Sequence, residues 1–383
     1  MSAVTDPVIA AEAAEIAARA PDELARLVDI SSPSGDTAGA ERALAVCASL
    51  LPDDARVERP PCSTPGSAPD LIGLVSGTGT RRLLLLGHVD TVIAHDAHQP
   101  LRRDGERLYG TGTVDMKGGD VLALGVARSL SRRPETFAEL ALLMVTDEEW
   151  RVQPFLHAAR FAGYDACLCF EGGQLSEDGD EGVVVRRKAA GTLKVTATGR
   201  AAHSGSAPDQ GRNALLALAM TAASVAALHD PAGADQLSVV PTVIRSGDAF
   251  NVVPAAGELI FDLRARGLPP FDAVLAAVEP ERNGVRLAAS MERRWPGMDS
   301  DAVTAPVIAA ASRRLGRPIA GVARGGASDA SHFADAIALT IDGLGPRGGG
   351  AHTPHEFVLE SALRSRAEVA LALAHAILPT DKS

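Results

Sequence analysis

The stretch LLLLGHVDTV at residues 83–92, followed by YGTGTVDMK at residues 109–117, decides how the rest of the chain is interpreted. Its four leucines carry no polar alternation, which is typical of a strand buried on both faces. Residues two apart on an extended backbone point to the same side, so His88 and Asp90 can face one pocket. An imidazole beside a carboxylate indicates a metal ligand with its orienting partner, and a plain salt bridge is the alternative.

A glycine-containing turn then delivers a second carboxylate. Gly110-Thr111-Gly112 precedes Asp115, and an apolar, helix-like run begins at Met116. A carboxylate carried by such a turn to the start of a helix is what a bridge between two metal ions requires.

The order of these residues resembles the M20 family of dinuclear zinc peptidases and deacylases. The first motif of that family pairs a ligand histidine with an aspartate two residues later, as His88 and Asp90 do here. Its second motif is Asp-Met-Lys-Gly-Gly, present at residues 115–119. The resemblance also implies a cis peptide bond between Asp115 and Met116.

Two further strand-like runs end in acids. Residues 139–146 (ELALLMVT) lead into Asp147-Glu148-Glu149, and residues 165–170 lead into Glu171. Adjacent acids at the end of a buried strand are costly unless they are paired or bind a cation, and a solvated acidic loop is the alternative. The resemblance implies that Glu148 is the general base and that Glu149 and Glu171 are ligands. The family usually continues with one residue and then glycine, whereas Trp150-Arg151 follows here.

The last motif of the resembled family matches GGGAHTPHE at residues 348–356. The resemblance implies that His352 is a metal ligand, and we interpret His355 as a non-ligand. Upstream, Arg324-Gly325-Gly326 opens a predicted helix, where exposed amides and a planar guanidinium favour an anion. A phosphate loop is excluded because its Gly-x-x-x-x-Gly-Lys-Ser/Thr pattern is missing. In the family this turn lies near the substrate carboxylate.

Together the resemblance implies two divalent metal ions that share Asp115. We expect His88 and Glu171 on one ion and His352 and Glu149 on the other. A nitrogen and oxygen donor set without thiolate fits zinc, and also cobalt or manganese. A hydroxide held by the ions would attack an amide carbonyl, with Glu148 as the base and Asp90 fixing the tautomer of His88.

The composition limits the other functions of the chain. Its 383 residues suit two domains, and its net charge of −11 argues against general nucleic-acid or membrane binding. The four cysteines form no Cys-x-x-Cys pair, so we expect buried free thiols. The sequence shows neither a signal segment nor a long apolar run, and we expect a cytoplasmic protein.

The expected fold is α/β, with a mixed central sheet and flanking helices as in zinc exopeptidases. Residues 1–188 and 298–383 form the predicted catalytic domain. Residues 189–297 read as β-α-β-β-α-β, a ferredoxin-like insert with a long helix over residues 208–229. The resemblance implies that this insert is a lid and a dimerisation domain, so we expect a homodimer. At the N-terminus we expect a helix to Val28, with Pro21 opening a second helical run.

The insert carries three polar candidates. The resemblance implies that His203 polarises the scissile carbonyl, from its own or the partner subunit, and that Asn251 contacts substrate; a loop histidine on the surface is the alternative. Arg264 binds a substrate carboxylate or pairs with Asp262, and the sequence leaves both interpretations open.

We therefore predict a metallo-carboxypeptidase or aminoacylase that releases a C-terminal amino acid, with glutamate as one candidate. The Arg324 turn, the Asn251 motif and the end of the 165–170 strand look most like the glutamate carboxypeptidase branch. A lysine that helps to bind glutamate in that branch has no clear counterpart after Glu171, which leaves the side-chain preference open. An N-acyl-ornithine or N-succinyl-diaminopimelate type deacylase is the alternative, and a non-catalytic binding protein on the same fold is a remote one.

Overall fold

The computed structural model describes residues 5–378, which divide into two compact units. The first unit comprises Met1–Arg186, Asp299–Arg324 and Ser328–Ser383, and the second comprises Arg187–Met298 and Gly325–Ala327. The roles of catalytic domain and lid stay predictions for these units.

The helices are short to medium in length, and most of them bury one face. They are α1 Pro7–Val28, α2 Thr37–Ser49, α3 Gly118–Ser131, α4 Ala214–Ala226, α5 Pro269–Ala276, α6 Asp301–Leu315, α7 Ala330–Phe333 and α8 Glu360–Ile377.

The strands belong to four sheets. They are β1 Arg56–Glu58, β2 Leu71–Ser76, β3 Arg82–His88, β4 Arg102–Asp104, β5 Arg107–Tyr109, β6 Glu139–Val145, β7 Ala166–Cys169, β8 Gln174–Leu175, β9 Glu181–Arg187, β10 Ala189–Thr198, β11 Ser238–Ser246, β12 Ala256–Ala265, β13 Glu281–Arg282, β14 Val285–Trp295, β15 Met298–Asp299, β16 Ile319–Arg324, β17 Thr340–Ile341, β18 Gly348–Gly349 and β19 Phe357–Leu359.

A six-stranded mixed sheet forms the centre of the first unit, in the order β1-β2-β6-β3-β7-β17. Strands β6, β3, β7 and β17 run parallel to one another, and β2 runs antiparallel to both of its neighbours, β1 and β6. The four leucines at 83–86 are fully buried, because helices cover both faces of a parallel sheet. The predicted α/β fold with a mixed sheet is confirmed.

The second unit has a five-stranded antiparallel sheet in the order β11-β12-β10-β14-β13. Helices α4 and α5 pack on it around a core of aliphatic residues with Phe261 and Phe271. The predicted element order β-α-β-β-α-β is present as β10-α4-β11-β12-α5-β14.

Two helices of the structure have bounds that differ from the predicted ones. Helix α1 continues through Pro21 as one helix, so no second helical run opens there. Helix α4 begins at Ala214 rather than near residue 208, because the Asn213 side chain accepts a hydrogen bond of 3.0 Å from the Leu216 amide and caps the helix.

The four cysteines are all buried, as expected. Between residues 5 and 378, no helix has both the length and the apolar character needed to cross a membrane.

Candidate metal centre and active site

Three neighbouring parallel strands carry polar residues at their carboxyl ends. Strand β3 lies between β6 and β7, and its last residue, His88, is opposite Val145 of β6. Glu148 and Glu149 follow β6, and Glu171 follows β7. Parallel strands end at the same edge of a sheet, so these side chains meet there.

Asp115 reaches the same edge from a turn. Gly112 has a φ of 78°, a conformation that residues with side chains rarely adopt, and the Asp115–Met116 peptide bond is cis, as the resemblance implied. A Cβ at Gly119 would overlap the carbonyl oxygen of Phe170. Glycine therefore lets the first turn of α3 pack directly against the end of β7.

The two carboxylate oxygens of Asp115 face different histidines. Its Oδ1 lies 3.3 Å from Nε2 of His88, which lies 3.6 Å from Oε1 of Glu171. Its Oδ2 lies 3.1 Å from Nε2 of His352, which lies 3.1 Å from Oε1 of Glu149. The five side chains thus form two groups of three that share Asp115.

The donor atoms fit divalent cations. Nε2 of His88 is buried, and nothing in the described part of the chain forms a hydrogen bond with it, which is rare for a buried polar atom. Two donors of one tetrahedral zinc ion are about 3.3–3.6 Å apart, close to the separations between these nitrogen and oxygen atoms. His88, Asp115 and Glu149 also offer ligand atoms that all lie within 4.8 Å of one another.

The electrostatics of the cluster also favour bound positive charge. The carboxylates of Asp115 and Glu149 raise the pKa of His352 to about 10. Burial alone would lower the pKa of His88, but Asp115, Asp90 and Glu171 hold it well above its usual value. The carboxylates therefore draw protons onto both imidazoles, and cations can supply the same charge.

Asp90 makes more contacts than the sequence indicated. Its Oδ1 and Oδ2 each accept a hydrogen bond of 3.1 Å, from the amides of Glu148 and Glu149 respectively. Nδ1 of His88 lies 3.1 Å from the backbone oxygen of Asp90 and 3.5 Å from its Oδ1. Asp90 therefore positions the two glutamates as well as the histidine.

Glu148 is buried, with 7% of its surface exposed. Burial raises the pKa of this carboxyl well above its usual range, the positive charge of His88 opposes the shift, and Glu171, Glu149 and Asp115 add to it. A raised pKa suits a group that must accept a proton and then release it near neutral pH.

Glu356 is a site residue that the sequence reasoning did not single out. Its Oε2 accepts a hydrogen bond of 2.8 Å from the Gly112 amide, and its Oε1 accepts bonds of 2.8 and 2.9 Å from the amides of Val114 and Asp115. Glu356 lies four residues after His352. Its buried carboxylate therefore joins the loop of His352 to the turn of Asp115. In the sequence, Glu356 is the last residue of the GGGAHTPHE match, and nothing there assigns it a role.

Arg324 lies beside the same cluster, at the end of β16. Its Nη1 donates a hydrogen bond of 2.7 Å to the carbonyl oxygen of Gly172, the residue after Glu171. Gly325 and Gly326 are exposed, and a Cβ at Gly325 would meet no atom within 4 Å. Arg324 is therefore tied to the segment that carries Glu171.

The remaining candidates lie in the second unit. The backbone of His203 forms an isolated antiparallel β-bridge with Val252. The Nδ1 atom of His203 accepts hydrogen bonds of 3.1 Å from the amides of Gly205 and Ser206. The carbonyl oxygen of Asn251 accepts a hydrogen bond of 3.0 Å from the Ser204 amide, so the His203 and Asn251 loops are neighbours.

Arg264 forms two hydrogen bonds of 3.0 Å with Asp262. Pairing with Asp262 was one of the two interpretations of Arg264 that the sequence allows, and the structure contains this pair. A contact between Arg264 and substrate stays a prediction.

The model of peptidase family M20/M25/M40 matches residues 84–376, which hold all five converging side chains. The chain belongs to this family. It is therefore an enzyme that hydrolyses peptides or N-acyl amino acids, in a family of metal-dependent hydrolases.

Relatives of this M20 enzyme include two kinds of hydrolase. Carboxypeptidase G2 of Pseudomonas sp. (strain RS-16) is 27% identical over 372 residues, which cover 91% of this chain and 87% of the relative. Succinyl-diaminopimelate desuccinylase of Halorhodospira halophila is 30% identical over 345 residues, which cover 82% and 89%.

Solved structures share the fold of this M20 enzyme. An M20 family metallo-carboxypeptidase from Sulfolobus solfataricus has a TM-score of 0.73 at 15% identity and covers 94% of this chain and 98% of its own. An aminopeptidase from Bacillus cereus has a TM-score of 0.73 at 20% identity with the same coverage.

The contacts of Glu356 generate a prediction. In Glu356→Gln, an amide NH₂ replaces one of the oxygens that accept backbone N–H groups, so the Asp115 turn loses a hydrogen bond. We expect the affinity for Zn²⁺ to fall about 10–100-fold, as for other residues that support ligands. Competition with a chromophoric chelator measures this affinity.

His355→Gln is the matched control, because His355 is exposed and lies beside Glu356 in sequence. We expect the control to bind Zn²⁺ like the wild type. Equal affinities in all three proteins would show that Glu356 does not support the metal centre.

Proposed function

We propose that the chain is a dinuclear-metal hydrolase that cleaves the amide bond of a peptide or N-acyl amino acid and releases a C-terminal amino acid. The observation that carries the proposal is the placement of the Asp115 carboxylate between two histidines. Its Oδ1 faces His88, and its Oδ2 faces His352. A carboxylate placed in this way can bridge two ions.

His88 and Glu171 would hold one ion, His352 and Glu149 the other, and Asp115 both. Zinc fits this donor set, and cobalt or manganese are the alternatives. When bound, such ions polarise a carbonyl group and lower the pKa of water. Asp90 keeps the ring of His88 and the amides of the two glutamates in place.

Glu148 is the general base in this proposal. It takes a proton from the attacking water and passes it to the nitrogen of the leaving amine. Its carboxyl is buried beside the ligands without being required by either group of three, which leaves it available for proton transfer.

The exposed turn of Arg324, Gly325 and Gly326 would bind the carboxylate of the C-terminal amino acid. A planar guanidinium binds a carboxylate through two parallel hydrogen bonds, and Arg324 lies next to the Glu171 segment. Asn251 and Arg264 are further candidates for substrate contacts from the second unit.

The second unit would act as a lid and as the interface of a homodimer. Helix α4 exposes Leu215, Leu216 and Met220, and the edge strand β11 exposes Val240 and Ile244. An apolar helix face beside an open sheet edge suits a second copy of the same unit. Sedimentation equilibrium tests for the dimer, and a monomer at micromolar concentrations would contradict it.

The alternative substrate class is an N-acyl-ornithine or N-succinyl-diaminopimelate. The desuccinylases among the relatives favour it. A hydrolysis screen of the Zn²⁺- and Co²⁺-loaded enzyme tests both classes with N-acyl amino acids, dipeptides, N-acetyl-ornithine and N-succinyl-diaminopimelate. Turnover of only the last two would replace the carboxypeptidase assignment, and failure on the whole panel would reject both.

Glu148→Gln should separate metal binding from turnover. The substitution keeps the size of the side chain but removes its ability to accept a proton. We expect metal content to stay at the wild-type level while kcat falls about 10²–10⁴-fold, the usual contribution of a general base. Elemental analysis and steady-state kinetics measure the two quantities, and a kcat near that of the wild type would remove Glu148 from this role.

His203→Ala should lower turnover without lowering metal content, because His203 is proposed to polarise the carbonyl rather than to bind metal. The loss should be about 10²–10³-fold in kcat, as for one donor to a developing oxyanion. Mixing this variant with Glu148→Gln tests the dimer, since activity returns only if the histidine acts across subunits. Loss of metal in His203→Ala would instead make it a ligand.

A further inference from the structure

Arg151 stands where the resembled family has glycine, and it is fully buried. Its Nη1 lies 2.7 Å from Oδ1 of Asp147, and its Nη2 pairs with Asp329. The guanidinium also lies over the ring of Phe155, 4.6 Å from its centroid. A buried guanidinium persists only where charges and hydrogen bonds compensate its lost hydration, so this side chain has a fixed place between two carboxylates.

The first carboxylate belongs to the turn that presents the proposed base. The Arg151 amide donates a hydrogen bond of 2.9 Å to the carbonyl oxygen of Asp147, which closes the turn around Glu148 and Glu149. Oδ2 of Asp147 accepts bonds of 2.9 and 2.7 Å from the amide and hydroxyl of Thr64. Arg151 therefore binds one carboxylate oxygen of Asp147, and Thr64 binds the other.

The second carboxylate belongs to the segment that follows the Arg324 turn. Asp329 comes five residues after Arg324 and directly before α7. The preceding residue, Ser328, donates a hydrogen bond of 2.6 Å to the buried carboxylate of Asp342. This segment is thus anchored at both Ser328 and Asp329.

We propose that Arg151 is a positioning residue that holds the Glu148 turn in register with the Arg324 turn, so that efficient hydrolysis depends on a free carboxylate in the substrate. The inference rests on the proposed function, in which Glu148 is the base and Arg324 binds that carboxylate. Arg151 ties one backbone segment to the other through the planar guanidinium, whose two nitrogens reach two different acids. Lysine has a single charged nitrogen and cannot make this bridge with the same geometry.

The test compares wild type with Arg151→Lys, which keeps the charge, and with Asp329→Asn, which removes one partner. For each protein, kcat/KM is measured on the best N-acyl amino acid of the screen and on its C-terminal amide. We expect the ratio of the two values to fall about 10–100-fold in both variants, because small misplacements of reacting groups have effects of that size. Metal content should not change.

Calorimetry provides a readout that needs no turnover. The affinity of the Zn²⁺-loaded protein for the free amino acids contained in the substrates of the screen should fall in Arg151→Lys, while the affinity for the corresponding amino acid amides stays the same. If the wild type hydrolyses nothing in the screen, the proposed function fails, and this binding comparison still decides the role of Arg151.

Arg128→Lys is the matched control. Arg128 is a largely buried arginine of α3 that pairs with Glu23 at 2.8 Å, away from both turns. We expect Arg128→Lys to lower the free energy of unfolding without changing the substrate ratio. If Arg151→Lys lowers the stability but leaves the acid-to-amide ratio of kcat/KM unchanged, Arg151 only stabilises the fold and the proposal is wrong. Equal rates of the wild type on the acid and on the amide would also overturn the proposal.

Discussion

The site depends on one carboxylate, Asp115, which must keep its two oxygens between His88 and His352. The two histidines come from segments of the first unit that are far apart in sequence. One is at the end of β3, and the other is in the loop before β19. Their distances to Asp115 differ by only 0.2 Å, at 3.3 and 3.1 Å. Glu356 maintains this arrangement, because it binds the amides of the Asp115 turn and lies on the His352 loop.

Bringing several carboxylates together is unfavourable, and the protein stabilises the arrangement with backbone amides. Asp90 accepts the amides of Glu148 and Glu149, and Glu356 accepts three more. Arg151 lies between Asp147 and Asp329, two acids that are not among the proposed ligands. Because Asp115 and Glu149 are held through their backbone amides, their side-chain oxygens stay available for divalent cations.

Much of the fold followed from local patterns. Apolar runs predicted β3, β6 and β7, and the sequence of residues 189–297 predicted the β-α-β-β-α-β order of the second unit. Helix boundaries at proline and capping residues were less predictable from these patterns. Pro21 lies inside α1 without ending it, and Asn213 starts α4 later than its apolar composition indicated. Such boundaries depend on single hydrogen bonds, to which composition is insensitive.

The sequence by itself determined which residue types occur, in which order, at the ends of which strands, and its resemblance to the M20 family implied the five side chains that converge. Only the tertiary structure decided how the residues around them act. Asp90 contacts two glutamate amides, Glu356 supports the Asp115 turn, Arg264 pairs with Asp262, and Arg151 lies between two acids. The physical reason is that these contacts join segments far apart in the chain. Local patterns record the burial and direction of a side chain, whereas its partner depends on how the strands and loops pack in three dimensions.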